Sequence, residues 1–434
     1  MANKVVTRFA PSPTGLLHGG NYRTAVFAYL FAKKNGGEFI VRIEDTDRER
    51  SKKEYEENIL ESLAWLGLPH DKLYRQSEHV KRHEEALKTL IAKDIAYVSE
   101  EAQEEGKRSQ VIRFRNPKEP LTFIDAIRGP ITTDTTDLGD FVIARSETEP
   151  VFHFAVVVDD SDEGITHVIR GEDHISNTPR QILIQRALGL TSPVYAHLPL
   201  VLDSDRTKLS KRRGAKALTE YRDEGYLPEA ILNYLALLGW HPKDNQELFS
   251  IGELIKEFDL SRIQKGAGIF DETKLLWFNH EHIKRLSNDE FFGRLAAYTK
   301  TPIHSSIIPL LKERAQTLKE AVDAVAAGEY SFLDEDVSYS KELLLQGAKV
   351  PEEVVSQHLN KIIESLEALS NFTNDEIKNA IFPYATEVGR GAVLWPMRVA
   401  LSGKEKSPDP FTLASLLGKE KTIQRLRAAL TVLK

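Results

Sequence analysis

Val5-Val6-Thr7-Arg8-Phe9-Ala10-Pro11-Ser12-Pro13-Thr14-Gly15-Leu16-Leu17-His18-Gly19-Gly20-Asn21 changes character twice. Val5 to Phe9 is a short β-prone run, Ala10 to Gly15 is built of turn formers, and an apolar helical pattern follows from Tyr22 to Ala32. Gly36-Gly37 ends that helix, and Phe39 to Ile43 forms a second β-type run that stops at Glu44-Asp45. Strand, loop, helix and strand in this order predict a βαβ unit and hence a parallel sheet.

Reading outward, Ser51 and Glu54 have the spacing of a capping box for a second helix, whose stripe Ile59, Leu60, Leu63 and Leu66 stops at Gly67. From Asp94 to Glu149 the chain turns to charged turns and short β-prone pieces, among them Val111 to Phe114 and Phe141 to Ala144. This stretch reads as an inserted module. Val156-Val157-Val158 and Thr166 to Ile169 then resume buried-strand patterning, and Asn177 before Thr178-Pro179 starts a helix that ends near Gly189. Beyond Lys216 the patterns are helical, for instance Glu229 to Leu238 and Lys419 to Leu433. The expected organisation is a Rossmann-type α/β domain (1–80 and 154–216) split by a module at 81–153, then all-α regions at 217–285 and 286–434.

The chain of 434 residues suits two to four structural units, and its 41% hydrophobic and 28% charged residues suit a globular protein. With no cysteine, disulfides, thiolate nucleophiles and Cys-ligated zinc are excluded. The start MANKVVTRFAPSPTG has no apolar run fit for a signal peptide, and no uncharged stretch could span a bilayer, so a cytoplasmic location is expected. A net charge of −7 argues against a protein coated in nucleic acid but leaves room for a local basic face.

Two loops carry chemistry. In the first, Pro11 to Asn21 between strand and helix, small residues let the backbone approach a nucleotide. The helix N-terminus offers N–H groups to phosphate, and His18 adds a donor. Alone, such a loop is more often a plain turn. The second is Lys208-Leu209-Ser210-Lys211-Arg212-Arg213-Gly214, after a strand-like run from His197 to Leu202. Two lysines three apart can close on a triphosphate and neutralise charge growing at phosphorus. Alone, such a motif is more often a solvated basic patch.

Both motifs in one chain resemble the paired signatures of class I aminoacyl-tRNA synthetases. TRFAPSPTGLLHGG, EFIVRIEDTDRER, VIRGEDHISNTPRQ, KLSKRRGA and GYLPEAILNYLALLGW resemble glutamyl-tRNA synthetases in the same order, as do GRGAVLWPMRVALSG and FTLASLLGKEKTIQRL. That resemblance implies glutamate activation with ATP and its transfer to tRNA. His18, Lys208 and Lys211 are then catalytic, and Pro11, Ser12, Pro13, Thr14, Gly15, Gly20, Asn21 and Ser210 join them at ATP. Arg8, Ala10, Ser12, Glu44, Phe152 and Arg170 fall on the glutamate positions. Cationic forks for two carboxylates and an anion for an ammonium agree with that assignment.

The acid-rich runs Glu44-Asp45-Thr46-Asp47, Asp159-Asp160 and Glu172-Asp173-His174 are read as caps and turns rather than a metal cage. Mg²⁺ would arrive with ATP, and no zinc is expected. Two departures from the family stand out: the segment Tyr97 to Val111 lacks the cysteines of the zinc knuckle that many relatives carry, and Phe152 occupies the place of a pocket tyrosine. The substrate side chain then loses one hydrogen bond, and strand alternation would turn neighbouring His153 to the opposite face. The expected partners are the glutamate-accepting tRNA, ATP and L-glutamate, in a monomer without a membrane, with charging of the glutamine acceptor left open. A glutaminyl enzyme, a truncated paralogue that modifies a tRNA base, and a nucleotidyltransferase or inactive tRNA binder are the alternatives.

Overall fold

The computed structural model describes residues 4–101, 110–209 and 215–434. The chain separates into two compact units, one ending at Arg285 and one beginning at Leu286.

In the first unit, β1 (Val6–Phe9), α1 (Gly19–Lys34), β2 (Glu38–Ile43), α2 (Lys53–Trp65) and β3 (Lys72–Arg75) form the opening parallel half-sheet. Then come α3 (Val80–Ala92), β4 (Ala96–Glu100), β5 (Gln110–Phe114), β6 (Pro120–Asp125), β7 (Gly129–Asp134), β8 (Phe141–Ser146) and β9 (Glu149–Pro150). The parallel path resumes through α4 (Phe152–Asp162), β10 (His167–Gly171), α5 (Thr178–Leu188) and β11 (Val194–Leu198), and β12 (Val201–Leu202) follows. After α6 (Leu218–Asp223), α7 (Pro228–Leu237) and α8 (Ile251–Glu257), β13 (Gly268–Ile269) pairs with β12, and α9 (Glu272–Arg285) closes the unit.

The main sheet runs β3-β2-β1-β10-β11-β6-β7. β1 lies between β2 on one side and β10 on the other, so the chain reverses its strand order there. Open α/β sheets leave a crevice at such a switch point, beyond the carboxyl ends of the strands. The central strands are buried on both faces and load two cores alternately, as a side-chain period of two requires. Phe39, Val41 and Ile43 pack with α1 on one face, while Ile40 packs with Phe154 and Val157 on the other. Gly37 precedes β2 because any side chain there would run into the Val5 carbonyl, 2.1 Å from the place of a Cβ.

Four local expectations are corrected. Val156 to Val158 lie inside helix α4 rather than in a strand. All three are only 2% exposed, and an apolar run buried on every side carries no period to separate helix from strand. The chain needs a crossover helix before β10, and that tertiary demand overrides β-branched propensity. The Ser51–Glu54 capping box does not form: α2 starts at Lys53, with Lys52 as its cap residue and no side-chain bond. The Ser51 N–H instead donates to the Asp47 carbonyl and the Lys52 N–H to the Pro13 carbonyl, so a turn against the first loop takes over the helix start. The run His197 to Leu202 breaks at Pro199-Leu200 into β11 and β12, which belong to different sheets. Finally, β6 and β7 join the main sheet beside β11, while β4, β5, β8 and β9 form an antiparallel sheet of their own.

The second unit consists of helices among its described residues: α10 (Asn288–Leu295), α11 (Ile308–Arg314), α12 (Leu318–Ala326), α13 (Lys341–Gln346), α14 (Glu352–Glu367), α15 (Asn374–Val388), α16 (Arg390–Ser402), α17 (Pro410–Leu417) and α18 (Lys419–Val432). Ser287, Thr317, Ser340, Thr373 and Asp409 each accept a backbone N–H at a helix start, which sets the boundaries of α10, α12, α13, α15 and α17. Leu359, Leu366, Ile377, Met397, Leu413 and Leu426 are fully buried and supply its core. No helix among the described residues is long and apolar enough to cross a membrane.

Candidate active site

The cleft at the carboxyl ends of β1 and β10 has a volume of about 890 Å³. Its first wall is the loop between β1 and α1. The Glu44 N–H donates to the Pro11 carbonyl at 2.9 Å and the Lys52 N–H to the Pro13 carbonyl at 3.0 Å, so the loop is strapped to the end of β2 and the start of α2. His18 is the cap residue of α1: its Nδ1 accepts the Gly20 N–H at 3.1 Å, and the Asn21 Oδ1 accepts the His18 N–H at 3.2 Å. Because Nδ1 accepts, the neutral ring carries its proton on Nε2. A side chain at Gly20 would stand 3.1 Å from that ring, so glycine keeps the imidazole in place.

Ala10, Pro11, Ser12, Thr14, His18, Gly20 and Asn21 line the cleft. Pro13 and Gly15 share the loop but do not reach the lining. Lys208 reaches the opposite rim, where its Nζ lies 3.0 Å from Asp173. Ser210 and Lys211 fall outside the described residues.

The floor holds buried charge. Arg8 donates through Nε to the Asp160 Oδ1 at 3.0 Å and through Nη2 to Oδ2 at 3.4 Å. Arg42, with no exposed surface, donates to Asp160 and Glu163, each at 2.8 Å, and to Glu44 at 3.4 Å. Burial alone would pull the Arg42 guanidinium down, but Asp160, Glu163 and Glu44 together hold it above its ordinary range. Burial pushes the Glu163 carboxyl up to about 7 despite Arg42, and raises Glu44 as well. Asp160 also bears a burial cost, yet Arg8 and Arg42 keep it below the usual carboxylate range.

Arg170 differs. It is 6% exposed, and its hydrogen-bond partners are the Nε2 of His197 at 3.1 Å, the Thr178 hydroxyl at 2.9 Å and the Gln181 carbonyl at 2.8 Å. All three are neutral acceptors, and burial lowers the guanidinium to about 10. A cation placed this way at the end of β10 lines the cleft, where it can pair with an anion that enters.

Phe152 stands at the start of α4 and lines the cleft, its ring 5.6 Å from those of His153 and His174. The opposite-face argument for His153 is corrected, because successive helical residues are turned by about 100° rather than 180°. His153 nevertheless stays off the cleft lining, and burial, with Arg180 and Arg170 near, takes its imidazole down to about 4. His174 does line the cleft and is neutral for the same reason, burial with Arg170 next, also at about 4.

Of the acid-rich runs, Asp159 accepts from His83 at 2.7 Å and from Gln76 at 2.7 Å, and Glu172 pairs with Arg128 and accepts the Leu200 N–H. Sequence reading missed Arg42 and Asp160 as partners of Arg8 and Glu44. The signal was available in Asp159-Asp160 following a wholly apolar run, since buried carboxylates require cations.

Comparison with known proteins identifies the family to which this fold belongs. Residues 4–110 and 100–277 match the family model of the class I tRNA synthetases (E and Q), catalytic domain, and residues 275–430 match an anticodon binding domain. The chain is 41% identical to a glutamate–tRNA ligase of Francisella tularensis subsp. novicida, across 98% of this chain and 99% of that protein. A glutamate tRNA ligase from Elizabethkingia meningosepticum, solved in complex with its amino acid, superposes with a TM-score of 0.85 at 33% identity over the whole of both chains. The glutamate–tRNA synthetase of Elizabethkingia anophelis gives 0.82 at 33% identity, over 99% of this chain and all of that one.

Proposed function

The chain belongs to the class I tRNA synthetases of the glutamate and glutamine kind, and from that premise we infer a glutamate–tRNA ligase: it activates L-glutamate with ATP and esterifies it to tRNA. The observation that carries the choice of amino acid is Arg170, a buried cation whose protein partners are all neutral. It takes the side-chain carboxylate. Arg8 is already matched by Asp160, while Glu44, tied to Arg42, receives the ammonium, and Ala10, Ser12 and Phe152 close around the substrate.

The α-carboxylate then attacks the α-phosphorus of ATP and pyrophosphate leaves. A ribose hydroxyl of the terminal adenosine of tRNA next attacks the acyl carbon, and AMP leaves. The protein's part is positioning and electrostatics. His18 presents its Nε2 proton to phosphate oxygens, the N-terminus of α1 and the Pro11–Asn21 loop hold the nucleotide, and Lys208, Ser210 and Lys211 meet the leaving pyrophosphate. Mg²⁺ enters with ATP, held mainly by its phosphates.

We further propose that residues 81–153 receive the acceptor end of tRNA, 217–285 its stem and 286–434 the anticodon arm, in a cytoplasmic monomer. Whether the glutamine acceptor is also charged is decided by assaying each purified tRNA in turn. ATP–pyrophosphate exchange with and without tRNA tests the whole reading: glutamate-dependent exchange supports it, and its absence in both conditions overturns it. A glutaminyl enzyme is disfavoured by the all-helical second unit.

A further inference from the structure

Three buried side chains stand in line behind the cleft: Asp125 at the end of β6, His197 on β11 and Arg170 on β10. Asp125 and His197 are 2% and 0% exposed, so neither meets substrate. The Asp125 Oδ2 lies 2.7 Å from the His197 Nδ1 and also accepts the His197 backbone N–H at 3.0 Å. Its other oxygen accepts the Ile127 and Arg128 N–H groups at 3.0 and 2.9 Å, which fixes the carboxylate in the β6–β7 turn.

The protonation state of His197 follows from its neighbours. A guanidinium only donates, so the Nε2 that faces the Arg170 Nε at 3.1 Å carries no proton. The ring proton is therefore on Nδ1, where it is donated to Asp125. Burial keeps the imidazole below its ordinary range and so neutral, while the His197 and backbone hydrogen bonds hold Asp125 below the carboxylate range against the cost of burial. Thr178 and Gln181 accept from Nη2, and the Thr178 hydroxyl also lies 3.1 Å from the His197 Nε2, so the acceptor that meets the guanidinium at Nε is His197, braced by Thr178.

We propose that Asp125 and His197 form a positioning relay for Arg170. The carboxylate fixes the imidazole tautomer, and the tautomer fixes the guanidinium in the plane from which it meets the substrate side-chain carboxylate. The inference rests on the reading of Arg170 given above. Its consequence is that a residue of the β6–β7 hairpin, in the segment that interrupts the parallel path, governs amino-acid binding without touching the amino acid.

Asp125→Asn tests the relay because an amide can donate to Nδ1, moving the ring proton to Nε2 and setting two donors against each other at Arg170. The KM for glutamate in ATP–pyrophosphate exchange should then rise by roughly ten- to a hundredfold, with the KM for ATP unchanged. In a His197→Gln background, where no tautomer exists and a side-chain carbonyl can still accept from Arg170, the same change should cost less than about threefold. An equal effect in both backgrounds, or a parallel rise in the KM for ATP, would overturn the relay and leave a merely structural role. If Asp125→Asn does not fold, His197→Gln against His197→Leu decides: Gln should keep the glutamate KM within about threefold while Leu raises it about tenfold or more, and equal values refute the proposal. Arg170→Gln separates the two readings. An unchanged glutamate KM in that variant dismisses Arg170 as the carboxylate binder, whereas a raised KM there with a silent Asp125→Asn dismisses the relay alone.

Discussion

On the proposed assignment of a nucleotide side and an amino-acid side, the two sides of the cleft hold an anion by opposite means. On the nucleotide side the groups are a turn-rich loop, a helix start and Lys208, whose side chain is 58% exposed and reaches across to Asp173. On the amino-acid side they are Arg8, Arg42, Glu44, Asp160 and Arg170, all buried and hydrogen-bonded in advance. Exposed charge is screened and costs little to rearrange, which suits a step in which charge moves and a product must leave. Buried charge is costly to leave unmatched, which suits the selection of one substrate over another. Rate should therefore be lost on the first side and specificity on the second.

The largest effect expected from that contrast is the preference for glutamate over glutamine. Replacing the substrate carboxylate by an amide leaves Arg170 without a counter-charge, and a site of this kind discriminates by about 10⁴ or more. Comparable kcat/KM for the two amino acids would erase the contrast and favour a glutaminyl enzyme. Next is Lys211→Ala, which should slow single-turnover adenylate formation roughly a hundredfold, about 3 kcal/mol, while glutamate binding stays intact. An unchanged rate would remove that lysine from the chemistry.

A smaller effect is expected at Phe152, whose ring lines the cleft and carries no donor. Phe152→Tyr should tighten glutamate binding by about 1–2 kcal/mol, and His153→Ala should change it little, as titration calorimetry can measure. The reverse pattern would place His153 in the pocket.

The smallest effect concerns pH. Glu163 binds its proton more tightly in the folded chain, at about 7 against an ordinary 4.5, so the folded state holds more protons between those values. By linkage this carboxyl makes stability fall as pH rises through that window, and Glu163→Gln should flatten the decline in urea titrations. A steeper decline would show that the charged form is the favoured partner of Arg42.

The opening βαβ unit was legible because its signals are local: β-prone residues, a turn-rich loop and a 3.6-residue stripe each report on a few neighbouring positions. The helix at Phe152–Asp162 was not, since three valines in a row fit a buried strand as well as a buried helix. Ser51 shows the same limit at a single residue, because its capping spacing was present and a turn with Asp47 displaced it. Arg8, Glu44 and Arg170 could be singled out from chemistry and resemblance. Their pairing could not, because Arg8 meets a carboxylate 152 positions away and Arg170 a histidine 27 positions away.

The sequence by itself determined that a glycine- and proline-rich loop with His18 would sit between a strand and a helix, and that no cysteine chemistry is available. The tertiary structure alone decided which cation meets a carboxylate and which meets only neutral acceptors. Charge type is written residue by residue, but the cost of a charge depends on what burial removes from it and what folding brings within about 3 Å of it. Arg8 and Arg170 are the same residue type on neighbouring strands, and they differ because one faces Asp160 while the other faces Thr178, Gln181 and a histidine that burial keeps neutral and Asp125 orients.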